Sequence, residues 1–239
     1  MAAERELTEP GFLANGRKTD MLQLRLDKEA KGQQRHVLCL GAHCDDIDLG
    51  CGGALLALLR SYPGTHVTWV VFSATTERER ELRASAKRFL SKAKTYRVIV
   101  RRYRDGFFPA EFAAIKEEFE ALKRLPDPDL IFSHHRADRH QDHRTVAELT
   151  WNTFRNHLVL EYEIPKYDGG LTTPSAYVAL SKTQVEQKIR VLLSCYKTQC
   201  TKAWFTADTM RGLMRLRGIE SGASSGWAEG FHATKFLLT

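Results

Sequence analysis

The strongest constraint on the fold is an alternation of short apolar runs, rich in β-branched residues, with longer amphipathic stretches. The apolar runs predict strands over residues 36–42, 66–74, 96–103 and 129–135. The intervening stretches predict helices over residues 53–60, 77–93 and 111–124. Strands that alternate with helices through short connections form parallel sheets covered on both faces. The pattern therefore predicts an α/β fold with a mostly parallel sheet.

The second half of the chain continues this pattern less regularly. It predicts a strand and turn over 159–170, helices over 143–154, 182–195 and 206–216, a flexible loop over 218–230 and a last strand over 231–238. We expect these segments to add a C-terminal elaboration to the sheet. The charged, weakly periodic residues 1–34 predict an N-terminal extension, and residues 35–239 a single domain.

Composition narrows the class of protein. The 239 residues include 36 Lys and Arg against 29 Asp and Glu, which gives a net charge of +7. Because basic and acidic residues are interleaved, as on solvated helix faces, we expect no nucleic acid partner. The positive balance suits a small anionic substrate, such as a nucleotide sugar, equally well. No apolar run approaches the roughly 20 residues of a membrane span, and no signal peptide is recognisable.

The cysteines indicate the compartment. Their number is odd, and none of the pairs has the short spacing of a zinc ribbon; they are Cys39, Cys44, Cys51, Cys195 and Cys200. Reduced thiols in a cytoplasmic protein account for this most simply. The sequence leaves a homo-oligomer open.

Two polar clusters follow predicted strands. GAHCDDIDLGCGG (41–53) follows the first strand, and HHRADRHQDH (134–143) follows the fourth. Ligands of an open parallel sheet bind beyond the carboxyl ends of its strands. We therefore expect the two clusters to converge, although nearly a hundred residues separate them in the sequence.

The residue types in these clusters favour metal chemistry. Two imidazoles and one carboxylate, here His43, His143 and Asp46, form a recurring catalytic zinc set that leaves a position for water. Asp45, next to a ligand, is suitably placed to act as a general base. Taken singly, each cluster has a simpler explanation, a hydrogen-bonded loop histidine or a polar helix cap. Their convergence makes the metal site the better hypothesis.

Two further residues support this site. His140 lies three positions before His143 and could stabilise an oxyanion or protonate a leaving amine. Asp142 could orient one of the histidines from behind the ligands.

The motifs resemble those of a known family. GAHCDDIDLGCGG is similar to the AHPDD motif of the LmbE-like superfamily, which includes the GlcNAc-phosphatidylinositol de-N-acetylases (PIG-L). DRHQDHRTV (138–146) is similar to its HxDH motif. Softer similarities lie at TERERELRASAKRFL (76–90), RDGFF (104–108) and WAEGF (227–231).

The resemblance implies a Rossmann-like, zinc-dependent hydrolase that removes N-acetyl groups from amino sugars or N-acetylglucosaminyl-type glycosides. By position, it implies metal ligation by His43, Asp46 and His143. It further implies that Asp45 is the general base and that His140 assists the tetrahedral intermediate. Iron(II) or cobalt could replace zinc, since this ligand set does not select zinc strictly.

Substrate contacts are implied more loosely. Arg78, or the nearby Arg80, aligns with a substrate-binding arginine, and Asp105 fits a sugar-contacting position. Trp227 and Glu229, in the predicted C-terminal loop, are further candidates.

Two residues beside the first motif need separate interpretation. Asp48 is expected to support the site from behind or to cap a turn. Cys44 stands where the family usually has proline, and it could either pack as a small apolar residue or compete as a zinc ligand.

Three alternatives remain open. The chain could be an amidase acting on a thiol conjugate or an antibiotic intermediate. It could instead be a non-catalytic zinc-containing sugar or nucleotide binder, closed by Cys44. A dinucleotide-binding enzyme is disfavoured because no GxGxxG follows the first strand.

Overall fold

The structure is a computed structural model that describes residues 34–237. A seven-stranded mixed sheet forms the centre of this part of the chain. The strands are β1 (Arg35–Gly41), β2 (Thr65–Val71), β3 (Thr95–Val100), β4 (Leu130–His134), β5 (Val159–Tyr162), β6 (Ala176–Ala179) and β7 (Ala228–Ala233). The helices are α1 (Asp46–Ser61), α2 (Thr76–Phe89), α3 (Phe112–Leu122), α4 (Gln141–Thr153), α5 (Lys182–Cys195) and α6 (Ala207–Glu220). The predicted α/β fold is confirmed. The predicted extension over 1–34 lies outside the described residues except for its last position.

The strand order is β3-β2-β1-β4-β5-β7-β6. Strands β1 to β5 run parallel, whereas β7 is antiparallel to both β5 and β6. The chain moves from β1 outward to β3 and then returns to place β4 on the other side of β1. This reversal makes the carboxyl ends of β1 and β4 a topological switch point, where ligands of such sheets bind.

Alternate residues of the central strands face two apolar cores. In β1, Val37 and Cys39 point into the larger core, while Leu38 and Leu40 point into the smaller one. The larger core packs beneath α1, α2, α5 and α6, and the smaller one beneath α3 and α4. Helices thus cover both faces, as the continuous apolar runs predict for a parallel sheet.

Helix α1 begins earlier than the sequence predicts. It starts at Asp46 and includes the glycines that were expected to form a turn before residue 53. These helical positions hold glycine because other side chains occupy the space that a Cβ atom would fill. A Cβ on Gly50 would lie 2.1 Å from the ring of Tyr162, and one on Gly53 would lie 2.7 Å from Glu229 Oε1. The acidic residues therefore occupy the first turn of a helix, where its dipole favours negative charge.

The C-terminal elaboration differs in detail from the prediction. Helix α6 extends to Glu220, and the last strand begins at Ala228, inside the segment predicted as a loop. Strand β6, at the edge of the sheet, was not predicted as a strand. None of the helices in the described range has the length and apolar character needed to cross a bilayer.

Candidate active site

The two polar clusters meet at the switch point. His43 ends the connection from β1, and Asp46 opens α1, while His143 lies in the first turn of α4 just beyond β4. Because β1 and β4 pair in parallel, from Val37 opposite Leu130, their carboxyl ends lie side by side. The convergence expected from the sequence is present in the described structure.

The three predicted ligands form a buried triangle, which we call the ligand triad (His43, Asp46 and His143). The Nδ1 atom of His43 lies 3.2 Å from Nε2 of His143. The Asp46 carboxylate lies between them, 3.4 Å from His43 Nδ1 and 3.5 Å from His143 Nε2. All three side chains are buried.

The outer nitrogens of both histidines face carboxylates. His143 Nδ1 lies 3.0 Å from Asp138, while His43 Nε2 lies 3.0 Å from Asp105 and 3.3 Å from Asp142. A nitrogen beside a carboxylate carries the proton, as is typical of metal-binding histidines. The inner nitrogens are therefore left with lone pairs directed at each other.

This donor set fits a divalent cation. A tetrahedral ion with bonds of about 2.0–2.1 Å keeps its ligand atoms about 3.3–3.4 Å apart. The two nitrogens lie 3.2 Å apart, and each lies close to a different oxygen of Asp46: His43 Nδ1 is 3.4 Å from Oδ2, and His143 Nε2 is 3.5 Å from Oδ1. All three distances are close to that range. Two lone pairs and a carboxylate that converge in a buried space need a positive charge, which a metal ion or a proton can supply.

The pKa values of the ligand triad are shifted in different directions, so that its members do not all carry protons. Burial lowers the pKa of His143 to about 3. Burial also disfavours charged His43, but Asp46, Asp105 and Asp142 raise its pKa well above the usual value. Against its own burial, the surrounding histidines hold the pKa of Asp46 well below its ordinary range. A single positive charge thus satisfies the pair of facing nitrogens.

Asp45 projects from the same turn and is held by Arg78. A terminal guanidinium nitrogen of Arg78 donates to Asp45 Oδ1. Arg78 lies in the first turn of α2, which Thr75 caps by accepting from the backbone N–H of Arg78. Arg80 is exposed. Of the two arginines considered from the sequence, Arg78 is the one that reaches the site.

His140 lies beside the ligand triad and has a defined tautomer. Its Nδ1 accepts from the backbone N–H of Asp142 at 3.2 Å, which caps α4. The proton of the neutral ring is therefore on Nε2. Burial and the charge of His43 lower the pKa of His140, which favours the neutral ring. Its ring centroid lies 4.9 Å from that of His43 and 4.7 Å from that of His143.

Asp142 ties the site to the loop that follows β3. Its carboxylate accepts from the backbone N–H groups of Gly106 at 2.6 Å and Phe108 at 3.1 Å. These bonds hold the neighbouring Asp105 against His43, while 65% of the Asp105 side chain stays exposed. Asp105 thus lies at the mouth of the site.

Asp48 and Cys44 face away from the ligand triad. Asp48 is buried and accepts from Ser85, and its other oxygen lies 2.7 Å from the hydroxyl of Tyr196. Burial raises the pKa of Asp48 to about 7. The Cys44 thiol donates to the backbone carbonyl of Ser73 at 3.6 Å. Among the described residues, no group suited to holding a metal includes Cys44.

The two candidates near the C-terminus lie elsewhere. Glu229 accepts from Lys188 at 2.5 Å and from the backbone N–H groups of Gly53 and Ala54, so both of its carboxylate oxygens are already hydrogen-bonded within the protein. Trp227 is half-buried, with the guanidinium of Arg215 5.5 Å from its ring centroid. Neither placement supports a substrate contact.

Sequence reasoning missed three residues next to the ligand triad. The ring of His134 stacks on His143 at 3.9 Å, and its Nε2 lies 3.1 Å from Asp46. Asp138 holds His143, and Lys166 in turn donates to Asp138 at 2.7 Å. His134 and Asp138 were visible in HHRADRHQDH, but several acids and histidines there compete for each role. Lys166 had no local signal.

Fold and site together define a class: α/β proteins with a cluster of histidines and aspartates, suited to holding a metal ion, at the switch point of a parallel sheet. Residues 38–154 match the profile of the PIG-L family, described as GlcNAc-PI de-N-acetylase. These residues therefore form a PIG-L (LmbE-like) family domain, which confirms the resemblance for the motifs that lie between residues 38 and 154. No curated protein sequence matches this chain.

Solved structures share the fold. The conserved protein TT1542 from Thermus thermophilus is 22% identical with a TM-score of 0.67, over 85% of this chain and 96% of the other. The N,N'-diacetylchitobiose deacetylase from Pyrococcus horikoshii is 20% identical with a TM-score of 0.63, over 84% of each chain. GalB, the 4-carboxy-2-hydroxymuconate hydratase from Pseudomonas putida KT2440, is 17% identical with a TM-score of 0.69, over 86% and 98%. At these identities the likeness establishes the fold alone.

Proposed function

We propose that this protein is a metal-dependent hydrolase that removes an acetyl group from the nitrogen of an amino sugar or a related glycoside. The observation that carries the proposal is the ligand triad, with His43 Nδ1 and His143 Nε2 at 3.2 Å, beside the carboxylate of Asp45. The family and the deacetylase of the same fold support the same reaction.

His43, Asp46 and His143 would hold the cation, zinc or alternatively iron(II) or cobalt. When bound, such a cation supplies Lewis-acid polarisation of the acetamide carbonyl and of water. Asp138 and the pair Asp105 and Asp142 keep the two ligating rings oriented, because each carboxylate accepts a hydrogen bond from a ring's outer nitrogen.

Asp45 takes the role of general base. It adjoins the ligand Asp46 in the sequence, and Arg78 fixes its carboxylate by donating to one oxygen, Oδ1. The second oxygen can accept the proton of an attacking water. Arg78 itself then lies beside the general base, where a substrate contact of the kind that the resemblance implies would place it.

His140 acts on the other side of the reacting carbonyl. Its Nδ1 is occupied by the N–H of Asp142, so its protonated Nε2 is the atom that can donate. That N–H can stabilise the developing oxyanion by donating a hydrogen bond to it. The proton that Asp45 takes from the attacking water can then pass to the departing nitrogen, which gives an amine and acetate.

Three other functions compete with this proposal. Hydrolysis of an amide in a thiol conjugate or an antibiotic intermediate would use the same residues. A non-catalytic binder would need neither Asp45 nor His140. A protein described as a hydratase has the same fold, so the fold alone does not determine the reaction, and the released product has to be identified.

The deciding experiment measures acetate release by zinc-loaded protein from free, nucleotide-linked and glycosidic N-acetylhexosamines. Asp45→Asn should keep its zinc and lose about 10²–10⁴-fold in turnover. Asp208→Asn is the matched control, because that side chain is 99% exposed on α6. Acetate release that persists in Asp45→Asn would remove Asp45 from the mechanism. If the wild-type protein releases no acetate from any of these substrates, the proposed deacetylase activity is overturned.

A further inference from the structure

The loop between β5 and β6 displays an aromatic side chain beside the site. Tyr167 is 75% exposed, the most exposed aromatic side chain among the described residues. Its ring packs edge-on against Trp204, with centroids 6.4 Å apart and planes at 88°. With three quarters of its surface in solvent, Tyr167 keeps a ring face open for contact.

At its Tyr167 end, this aromatic pair is connected to the proposed ligand His143 through hydrogen bonds. Lys166, next to Tyr167, donates to Asp138, which holds His143. A few residues on, Gly170 approaches the same segment: a Cβ there would lie 3.2 Å from Cγ of Arg139. The loop therefore runs along the residues that lead into α4.

The other end is tied to the turn that carries the general base. Trp204 contacts Phe205 at 5.6 Å between centroids, and Phe205 contacts Tyr196 at 6.3 Å. The hydroxyl of Tyr196 donates to the backbone carbonyl of Cys44 at 2.7 Å, immediately before Asp45. Tyr167 and Trp204 are thus connected through neighbouring residues to the His143 side of the site at one end and to its Asp45 side at the other.

The loop is held firmly in this position. Arg217 donates to both carboxylate oxygens of Glu163 at 2.6 and 2.7 Å, and to the backbone carbonyl of Thr172 at 2.9 Å. The side chains of Arg217 and Glu163 are both buried, so both ends of the loop are fixed on α6. An exposed tyrosine on a loop tied at both ends is preorganised for binding, since little ordering remains to be done.

We infer that Tyr167, backed by Trp204, is a stacking platform for a second sugar ring, linked to the ring whose acetamide enters the site. This inference rests on the proposed function. The ring that reacts must reach the buried ligand triad and Asp45, so the group that reaches the rim is the next ring of the glycoside. The apolar C–H face of a pyranose packs on the electron-rich face of an aromatic ring. The substrate class is then a glycoside of at least two rings.

The test measures binding of N-acetylglucosamine and of its β-1,4-linked disaccharide to zinc-loaded Asp45→Asn protein, which removes turnover from the measurement. With Tyr167 present, the disaccharide should bind about three- to tenfold more tightly. Adding Tyr167→Ala should abolish that preference, whereas Tyr167→Phe should keep it. The control is Tyr96→Ala: Tyr96 is also exposed, but it lies near the start of β3, at the opposite edge of the sheet.

The outcomes separate this inference from the deacetylase proposal. Three results would overturn the platform. The disaccharide preference could survive Tyr167→Ala, both sugars could bind equally well with Tyr167 present, or neither sugar could bind. Acetate release without a disaccharide preference would overturn the platform and leave the deacetylase intact. A Tyr167-dependent preference without acetate release from wild-type protein would support the platform and overturn the deacetylase.

Discussion

The ammonium group of Lys166 lies 2.7 Å from the carboxylate of Asp138, which on its other side lies 3.0 Å from Nδ1 of His143. Burial alone would raise the pKa of Asp138, but His143 and Lys166 hold it well below its ordinary range. Asp138 is therefore charged at neutral pH and fixes the proton of His143 on Nδ1. The arrangement leaves Nε2 free to bind a cation.

Asp138→Asn should weaken zinc binding about 10–100-fold, as loss of such supporting carboxylates does elsewhere. An amide cannot offer His143 the same charge, so the ring is a poorer donor and is held less firmly. Competition with a chromophoric chelator measures the affinity independently of turnover. Asp208→Asn controls for the loss of an aspartate, and an unchanged affinity in Asp138→Asn would show that His143 needs no such partner.

The fold was largely predictable because each central strand is a continuous apolar run between amphipathic helices. The start of α1 was not predictable, because glycine has a low helix propensity. Only the packing of Gly50 on Tyr162 and of Gly53 on Glu229 shows why small residues are needed there. Strand β6 escaped prediction because it is a four-residue edge strand, too short to show an alternating pattern.

The site also contains both residues that the sequence predicts and residues that it does not. His43, Asp46 and His143 could be proposed from local spacing and from the rule that the carboxyl ends of parallel strands converge. Lys166 could not, because its contact with Asp138 spans 28 residues and depends on how one loop packs. Glu229 is another residue whose surroundings could not be predicted. Its sequence context indicated a loop, and only the tertiary structure reveals the ion pair with Lys188.

Cys44 should be dispensable for metal binding. Its thiol is fully buried and points to Ser73, and burial raises its pKa to about 12, so it is no thiolate at neutral pH. Cys44→Ala should keep stoichiometric zinc and lose about 1 kcal/mol of stability. Metal analysis of the purified variant checks this.

Thiol labelling gives an independent check. The native protein should react at Cys200, which is exposed, and at Cys44 only after unfolding. Loss of zinc in Cys44→Ala, or rapid labelling of Cys44 in the native protein, would restore it as a candidate ligand.

Glu229→Gln should destabilise the protein without changing substrate affinity. The variant leaves the Lys188 ammonium, 3% exposed, without a counter-charge. Removing one partner of such a buried pair costs about 3–5 kcal/mol. Chemical denaturation measures the loss, and Glu186→Gln, from a more exposed pair with Arg211, should change stability by less than about 1 kcal/mol. A raised KM at unchanged stability would instead place Glu229 in the substrate site.

His232 should make the protein less stable as the pH falls. Its ring stacks on His135 with centroids 3.7 Å apart, and burial together with the His135 charge lowers its pKa to about 4. In the unfolded chain the pKa returns to about 6.5. Between these values the unfolded state binds more protons, so the free energy of unfolding falls with falling pH.

His232→Gln removes this proton uptake and should therefore lose less stability than the wild type when the pH is lowered. Urea denaturation at about pH 7 and about pH 5 measures the difference for each protein, since both values lie near or within the window set by the two pKa values. The change in stability should be visibly smaller in the variant, although the half-exposed ring limits its size. If the two proteins lose the same stability over that interval, the acid sensitivity must come from groups other than His232.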